Sequence, residues 1–378
     1  MIGGKAVRTC PVVPCRALSC RALSCRHTRR RILLPMDASP RPAKFNDHPA
    51  LSRRDAISLG AAAAMAPFAF RNTRASEEST DMHQVPKRPV TPFTVVLGIA
   101  QDGGVPQAGS FGDVRWNDPS RRRHVVSLGI VDPASGKRWI IDATPDFPRQ
   151  LLELHRISGG PARPAVDGVF LTHAHIGHYP GLMYLGKESI GASRVPTYAM
   201  PRMREFLEKN GPWSQLVALE NVALAPLVAN EAVEIADGLR VTPILVPHRA
   251  EFSETVAFRI ELPGGKRVLW LPDIDSWRAW DDTGTRLEDV LATVDVAYLD
   301  GCFFADGELP GRDMSKVPHP LMTDTIARLA ALPETERAKV RFIHLNHTNP
   351  ALDPSSDAAR VIREAGMRVA EEGEVFAC

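Results

Sequence analysis

Three histidines fall within six residues in the run His173-Ala174-His175-Ile176-Gly177-His178, out of twelve in the 378-residue chain. Neutral imidazoles bind borderline ions such as zinc, and a short loop leaving a strand can aim alternate residues at one centre. So dense a cluster reads as the core of a metal site rather than as polar loop residues. It cannot close a coordination shell by itself, so further ligands must come from elsewhere in the chain. Three metal-capable residues stand just past apolar runs: His248 after residues 241–247, Asp273 closing residues 268–272, and His347 after residues 340–345. The C-terminal ends of strands are where α/β folds place their sites. Taken singly, each would read as a turn or cap residue; their shared placement makes them ligand candidates.

Positioning such a cluster requires strands, and the sequence supplies them. Apolar, β-rich runs recur at residues 93–99, 125–131, 139–141, 169–171, 241–246, 255–260, 268–271, 296–299 and 340–343. Helical patterns lie at 201–209, 287–292 and 321–331. Some strands pair like hairpins, as across Pro263-Gly264-Gly265, and others flank helices. That mixture predicts an α/β domain with mixed sheets over residues 91–378, a single large domain because no linker-like stretch interrupts it. The histidine run leaves the strand at 169–171, and His178 falls where a helix is expected to begin. His344 alternates with Ile343 and Leu345, so it is expected to face away from His347 as a structural histidine. His124 and His155 read as ordinary.

The ordered set of a strand, Thr172-His173-x-His175-x-x-His178, a lone His248, a strand ending in Asp273 and a strand followed by His347 resembles the metallo-β-lactamase superfamily. Within it, Leu97-Gly98, Gly103-Gly104-Val105-Pro106-Gln107, Asp142-Ala143-Thr144-Pro145-Asp146 and His347-Thr348-Asn349-Pro350 are similar to the pyrroloquinoline-quinone synthesis protein B branch. Pro247-His248-Arg249 and Asp273-Ile274-Asp275 also look like the superfamily's phosphodiesterases and tRNA 3′-end-processing nucleases. The resemblance implies an αββα sandwich. It implies His173, His175 and His248 as one metal site and His178, Asp273 and His347 as a second, with Asp273 bridging and sharing in catalysis. A metal-activated water would then attack, and His319, in Val317-Pro318-His319-Pro320, would protonate the leaving group. Asp142 would buttress the site, and Asp275 and Asp300 could orient imidazoles. The chain also departs from the pattern. Gly177 stands where the superfamily usually has aspartate, which removes one oxygen donor and one negative charge and is expected to weaken the second ion. One or two zinc ions are implied, with iron or manganese as alternatives because imidazole and carboxylate suit them too. The quinone-synthesis branch has cysteines near its glycine-rich opening, absent from residues 107–111, and often lacks the first two histidines kept here.

A formal net charge of +2 suggests neither nucleic acid nor acidic lipid as partner, and a small-molecule substrate is expected. Arg121-Arg122-Arg123 and Arg249 could grip an anionic one, although the triple arginine reads more readily as a solvated loop. The body has no apolar run of eighteen residues to span a membrane. Cys10, Cys15, Cys20 and Cys25 lie in the leader, and only Cys302 and Cys378 in the body, so no disulfide framework is expected. Residues 1–90 read as leader and linker, with residues 1–35 an extension upstream of Met36. Arg53-Arg54, a mildly apolar stretch to Phe70, Thr73 and Ala75 resemble a twin-arginine export signal. A periplasmic or secreted location is expected, with a cytoplasmic one as the alternative. The expected function is a metallo-hydrolase cleaving an ester bond, a phosphodiester or lactone. The alternatives are a protein that oxidises or carries a quinone precursor, or a non-hydrolytic binding protein.

Overall fold

The strands of the domain read as near-continuous apolar runs because both of their faces are covered. In the computed structural model, which describes residues 89–161 and 163–378, the first sheet is built from β1 (Phe93–Gly98), β2 (Ser127–Asp132), β3 (Lys137–Ile141), β4 (Gly168–Phe170), β5 (Val195–Ala199) and β6 (Val222–Pro226). The second follows with β7 (Val233–Ala236), β8 (Leu239–Leu245), β9 (Val256–Glu261), β10 (Arg267–Leu271), β11 (Val296–Asp300), β12 (Val340–Ile343) and β13 (Arg368–Val369). The last strand, β14 (Val375–Ala377), returns to the edge of the first sheet beside β1. The twin-arginine pair and the four N-terminal cysteines lie outside the described residues.

Each sheet is antiparallel on one side and parallel on the other. Strands β14, β1, β2 and β3 run antiparallel, and β3 to β6 run parallel. In the second sheet β7 to β10 are antiparallel and β10 to β13 parallel. The hairpin expected at Pro263-Gly264-Gly265 joins β9 to β10, with both glycines at positive φ (87° and 85°), a region that L side chains rarely adopt.

Side-chain alternation sorts each strand between two cores. Val268 and Trp270 of β10 face the first sheet, in a cluster with Val96, Ile130, Phe170, Phe258 and Tyr298. Leu269 and Leu271 face the opposite way, against Trp277, Trp280, Leu287, Met322, Leu329 and Ile362 of the outer helices. Helices Phe147–Ser158, Pro201–Lys209 and Trp213–Ala218 cover the other outer face through Phe147, Leu154, Met203, Leu207 and Trp213. The result is the helix–sheet–sheet–helix sandwich that the resemblance implied. Burial of each large side chain in these layers contributes roughly 1.5–3 kcal/mol.

The expected strands appear within a few residues of their predicted bounds. Short β5, β6, β7, β13 and β14 carried no expectation. The helix expected at His178 does not form: residues 176–178 turn, and a 3₁₀ helix starts at Pro180. The parallel halves carry the C-terminal ends of β3, β4, β10, β11 and β12 towards the site. Asp300 closes β11, and past the ends of the others stand Asp142, His173, Asp273 and His344.

Candidate metal centre

The β4 strand ends at Phe170, and the chain then crosses to the second sheet, where Val256 N donates to Thr172 O at 3.1 Å. This link sets the histidine run over the ends of both sheets. His173, His175 and His248 bring one ligand atom each within 4.8 Å of one another, and so do His173, His178 and Asp273. His248 Nε2 lies 3.1 Å from His175 Nδ1. Four ligands around zinc at 2.0–2.2 Å are spaced about 3.4 Å apart, so these approaches suit donors around a shared ion.

Asp273 stands between the two groups. Its Oδ1 is 3.6 Å from His248 Nε2, while its Oδ2 is 3.2 Å from His178 Nε2 and 3.3 Å from His344 Nε2. One oxygen therefore faces each side, the arrangement a bridging carboxylate requires.

His347 is not brought to this centre. Its carbonyl accepts from Arg115 Nη2 at 2.8 Å, and its ring lines a surface cavity with Arg115, Arg121 and Arg123. His344 stands in the place expected of His347. Strand alternation misjudged it because β12 ends at Ile343 and His344 adopts φ 63°, which turns its side chain into the site. The expectation for Gly177 also changes. A Cβ there would fall 2.4 Å from Asp102 Oδ1, so an aspartate from the loop after β1 already fills the space.

Behind the donors, hydrogen bonds fix which ring nitrogen faces inward. His178 Nδ1 donates to Asp142 Oδ2 at 2.8 Å, leaving Nε2 for the centre. Thr172 Oγ1 donates to the same carboxylate and accepts from His173 Nδ1 at 3.0 Å, so Asp142 backs two imidazoles. His319 Nδ1 donates to Asp300 Oδ2 at 2.7 Å, and Asp300 also accepts from Ile274 N and Cys302 N. Asp275 Oδ1 lies 2.9 Å from His248 Nδ1, a close approach without hydrogen-bond geometry. His175 is turned the other way: its Nε2 donates to Glu251 at 3.1 Å, and its Nδ1 faces His248. Such outer partners fix tautomer and ring orientation at metal sites.

The electrostatics favour cation binding. Burial, reinforced by His178, pushes His173 well below the usual histidine value, and burial lowers His175 as well. A lowered proton affinity favours the neutral form that binds metal at these two, whereas at His178 burial is outweighed by Asp142 and Asp273, which raise its proton affinity. Burial opposes the charge on Asp273, but His344 and His178 outweigh it and hold the carboxyl well below the usual range. Asp102 is lowered in the same way: burial opposes its charge and His178 and His344 outweigh it. Among the described residues His173 Nε2, Asp273 Oδ2 and His319 Nε2 are buried without a hydrogen-bond partner. Each such orphan costs about 1–3 kcal/mol, a cost that a bound cation would offset at the first two. The donor set fits one or two metal ions.

Sequence reasoning missed Asp102, His344 as a site residue, Glu251 and Cys302, whose sulfur lies near His319 and His344. No strand-end placement marks Asp102: it lies four residues past the end of β1, just before Gly103-Gly104. The triple arginine is tied largely to its own loop, with Arg122 donating to the Arg115 and Trp116 carbonyls and Arg123 to those of Ser120 and Arg122.

Comparison with known proteins agrees with this fold. The family described as Beta-lactamase superfamily domain matches residues 137–370. Coenzyme PQQ synthesis protein B of Methylobacterium nodulans is 30% identical over 307 residues, covering 74% of this chain and 97% of that protein. The crystal structure of Zn²⁺-bound PqqB from Methylobacterium extorquens superposes with a TM-score of 0.63 at 26% identity, covering 76% of this chain and all of that one. A diphosphatase from the PhnP family has the same fold, with a TM-score of 0.53 at 23% identity over 75% of this chain and 96% of that one.

Proposed function

The chain belongs to the metallo-β-lactamase superfamily, and on that premise we propose that it is a zinc-dependent hydrolase cleaving an ester bond, a phosphodiester or a lactone, in a small molecule. One observation carries the reading: a histidine built to deliver a proton stands beside the metal donors. His319 is buried, its ring centroid 5.6 Å from that of His248 and 5.5 Å from that of His344, and its Nε2 has no partner. Burial works against its charge, yet the Asp300 carboxylate outweighs burial and raises its affinity for a proton. Bound zinc supplies an activated water and polarises the scissile oxygen. The chain's own part is to hold a proton at His319 Nε2 for the leaving oxygen, with Asp300 fixing the tautomer. A cavity of about 370 Å³ beside His319, with Phe303, Val317 and Leu321 on its apolar side and Asp306, Asp313 and Ser315 on its polar side, gives room for the leaving group. Exposed Arg249 lies within electrostatic reach of His175 and His319 and would meet an anionic group.

The test is a panel of chromogenic phosphodiesters, lactones and β-lactams, read with and without chelator. Zinc-dependent turnover of an ester is expected, and His319→Asn should lower kcat by about 10²–10⁴-fold with metal content unchanged. No turnover by the zinc-loaded protein, or an unimpaired His319→Asn, would reject the reading. The likeness to coenzyme PQQ synthesis protein B favours a second reading, a site that oxidises or carries a quinone precursor. Bound iron rather than zinc would support that alternative. For location, the Arg53-Arg54 pair supports a periplasmic or secreted protein.

A further inference from the structure

We propose that Asp102, from the loop after β1, is the oxygen ligand of the second metal ion and replaces the side chain that Gly177 lacks. The inference rests on the metal-binding reading above and names a ligand that the histidine motif does not contain.

The geometry starts from two imidazole nitrogens. His178 Nε2 and His344 Nε2 are each approached by two carboxylates. Asp273 Oδ2 lies 3.2 Å and 3.3 Å from them, and Asp102 Oδ1 lies 3.2 Å and 3.4 Å. All four separations match the spacing of about 3.4 Å expected between ligands sharing one zinc. Asp102, His178 and His344 form a cluster with ligand atoms within 4.8 Å of one another. Asp273 Oδ2, in a residue only 3% exposed, has no hydrogen-bond partner on this side. A carboxylate with buried, unsatisfied capacity thus faces the same point as Asp102.

Residue 177 explains why the second carboxylate arrives on another loop. A Cβ at Gly177 would lie 2.4 Å from Asp102 Oδ1, 2.5 Å from its Cγ and 2.7 Å from its Cα. Asp102 can occupy this position only because residue 177 has no side chain. The loop is also anchored to the segment that carries His344. Gln101 N donates to Leu345 O at 2.9 Å, Leu345 N donates to Ile99 O at 2.8 Å, and Asn346 Nδ2 donates to the Gln101 side chain. Asp102 and His344 are therefore positioned as one unit. With Asp102 the second ion has four protein donors, Asp102, His178, Asp273 and His344, instead of three.

The experiment titrates the full chain, stripped with chelator, with Zn²⁺ against a chromogenic competitor, and with Co²⁺ followed by its visible absorption. The wild type is expected to take up two ions. Asp102→Ala should keep the tighter ion unchanged and weaken the other by about 100-fold, the share of one ligand. Asp102→Asn, which keeps the size but not the charge, should weaken it in the same direction, and the absorption of the second Co²⁺ should change. Gly177→Ala should also weaken it, because its methyl group takes the space of the Asp102 carboxylate. Melting of the metal-free Asp102→Asn chain at the wild-type temperature would show that the fold is intact. Two ions bound with wild-type affinity and the same Co²⁺ spectrum in both Asp102 variants would overturn this inference alone, as would a wild type that binds a single ion. A wild type that binds none would overturn the metal reading as well.

Discussion

His344 and His347 have the same side chain three residues apart, and the structure gives them opposite fates. His344 is 1% exposed, with Nε2 3.3 Å from Asp273 Oδ2 and 3.4 Å from Asp102 Oδ1. His347 is half-buried away from the centre, held by its carbonyl rather than its ring. Structural zinc sites with four ligands bind with about 10–16 kcal/mol, so one ligand is worth about 3 kcal/mol. At 1.4 kcal/mol per decade this is about 100-fold in affinity. His344→Ala should weaken one ion by about that factor and leave Asp102 and Asp273 facing each other without a cation. His347 belongs to none of the ligand clusters among the described residues, so His347→Ala should alter metal affinity by less than about twofold. Chelator competition on the purified variants, with metal content by elemental analysis, reads both effects. If His347→Ala loses the ion and His344→Ala keeps it, the geometric assignment is wrong and the simple motif reading is right.

Two further expectations concern the surroundings of the centre and of the fold. Asp142 is fully buried at φ 66° and backs His178 directly and His173 through Thr172. Asp142→Asn keeps a residue that tolerates this backbone but loses the charge, so metal affinity should fall by about 10–100-fold; unchanged affinity in the same titration would remove Asp142 from the site's support. Glu288 is held at about 2, chiefly by its hydrogen bonds to Arg328 at 2.7 Å and 2.9 Å, against burial. A depressed carboxyl stabilises the fold above its unfolded value near 4.5 and loses that contribution as pH falls towards 2. The stability difference between wild type and Arg328→Gln, about 1 kcal/mol at neutral pH, should therefore shrink between pH 4.5 and 2. A difference constant across urea melts in that range would contradict the pairing.

Some of the site could be read directly from residue order. The run His173-x-His175-x-x-His178 is local, and His248 and Asp273 close long apolar strands whose ends the pattern locates to within a few residues. Asp142 and Asp300 also stood at strand ends and fell behind imidazoles. His344 failed because period-two alternation holds only while the strand continues. Once β12 stops at Ile343 and the next residue turns to φ 63°, the face assignment no longer applies.

Local spacing therefore determined the metal-binding character of this chain and the strands that present it, since ligand type and hydrophobic period are properties of short segments. Tertiary structure decided the membership of the second site. Gly177 reads in the sequence as a missing ligand, but in the fold it is the gap that Asp102 fills from 75 residues away. No spacing rule could assign that residue, because the pairing of the β1 loop with the segment after β12 is made by hydrogen bonds across the sandwich. Contacts between distant segments exist only once both sheets have formed.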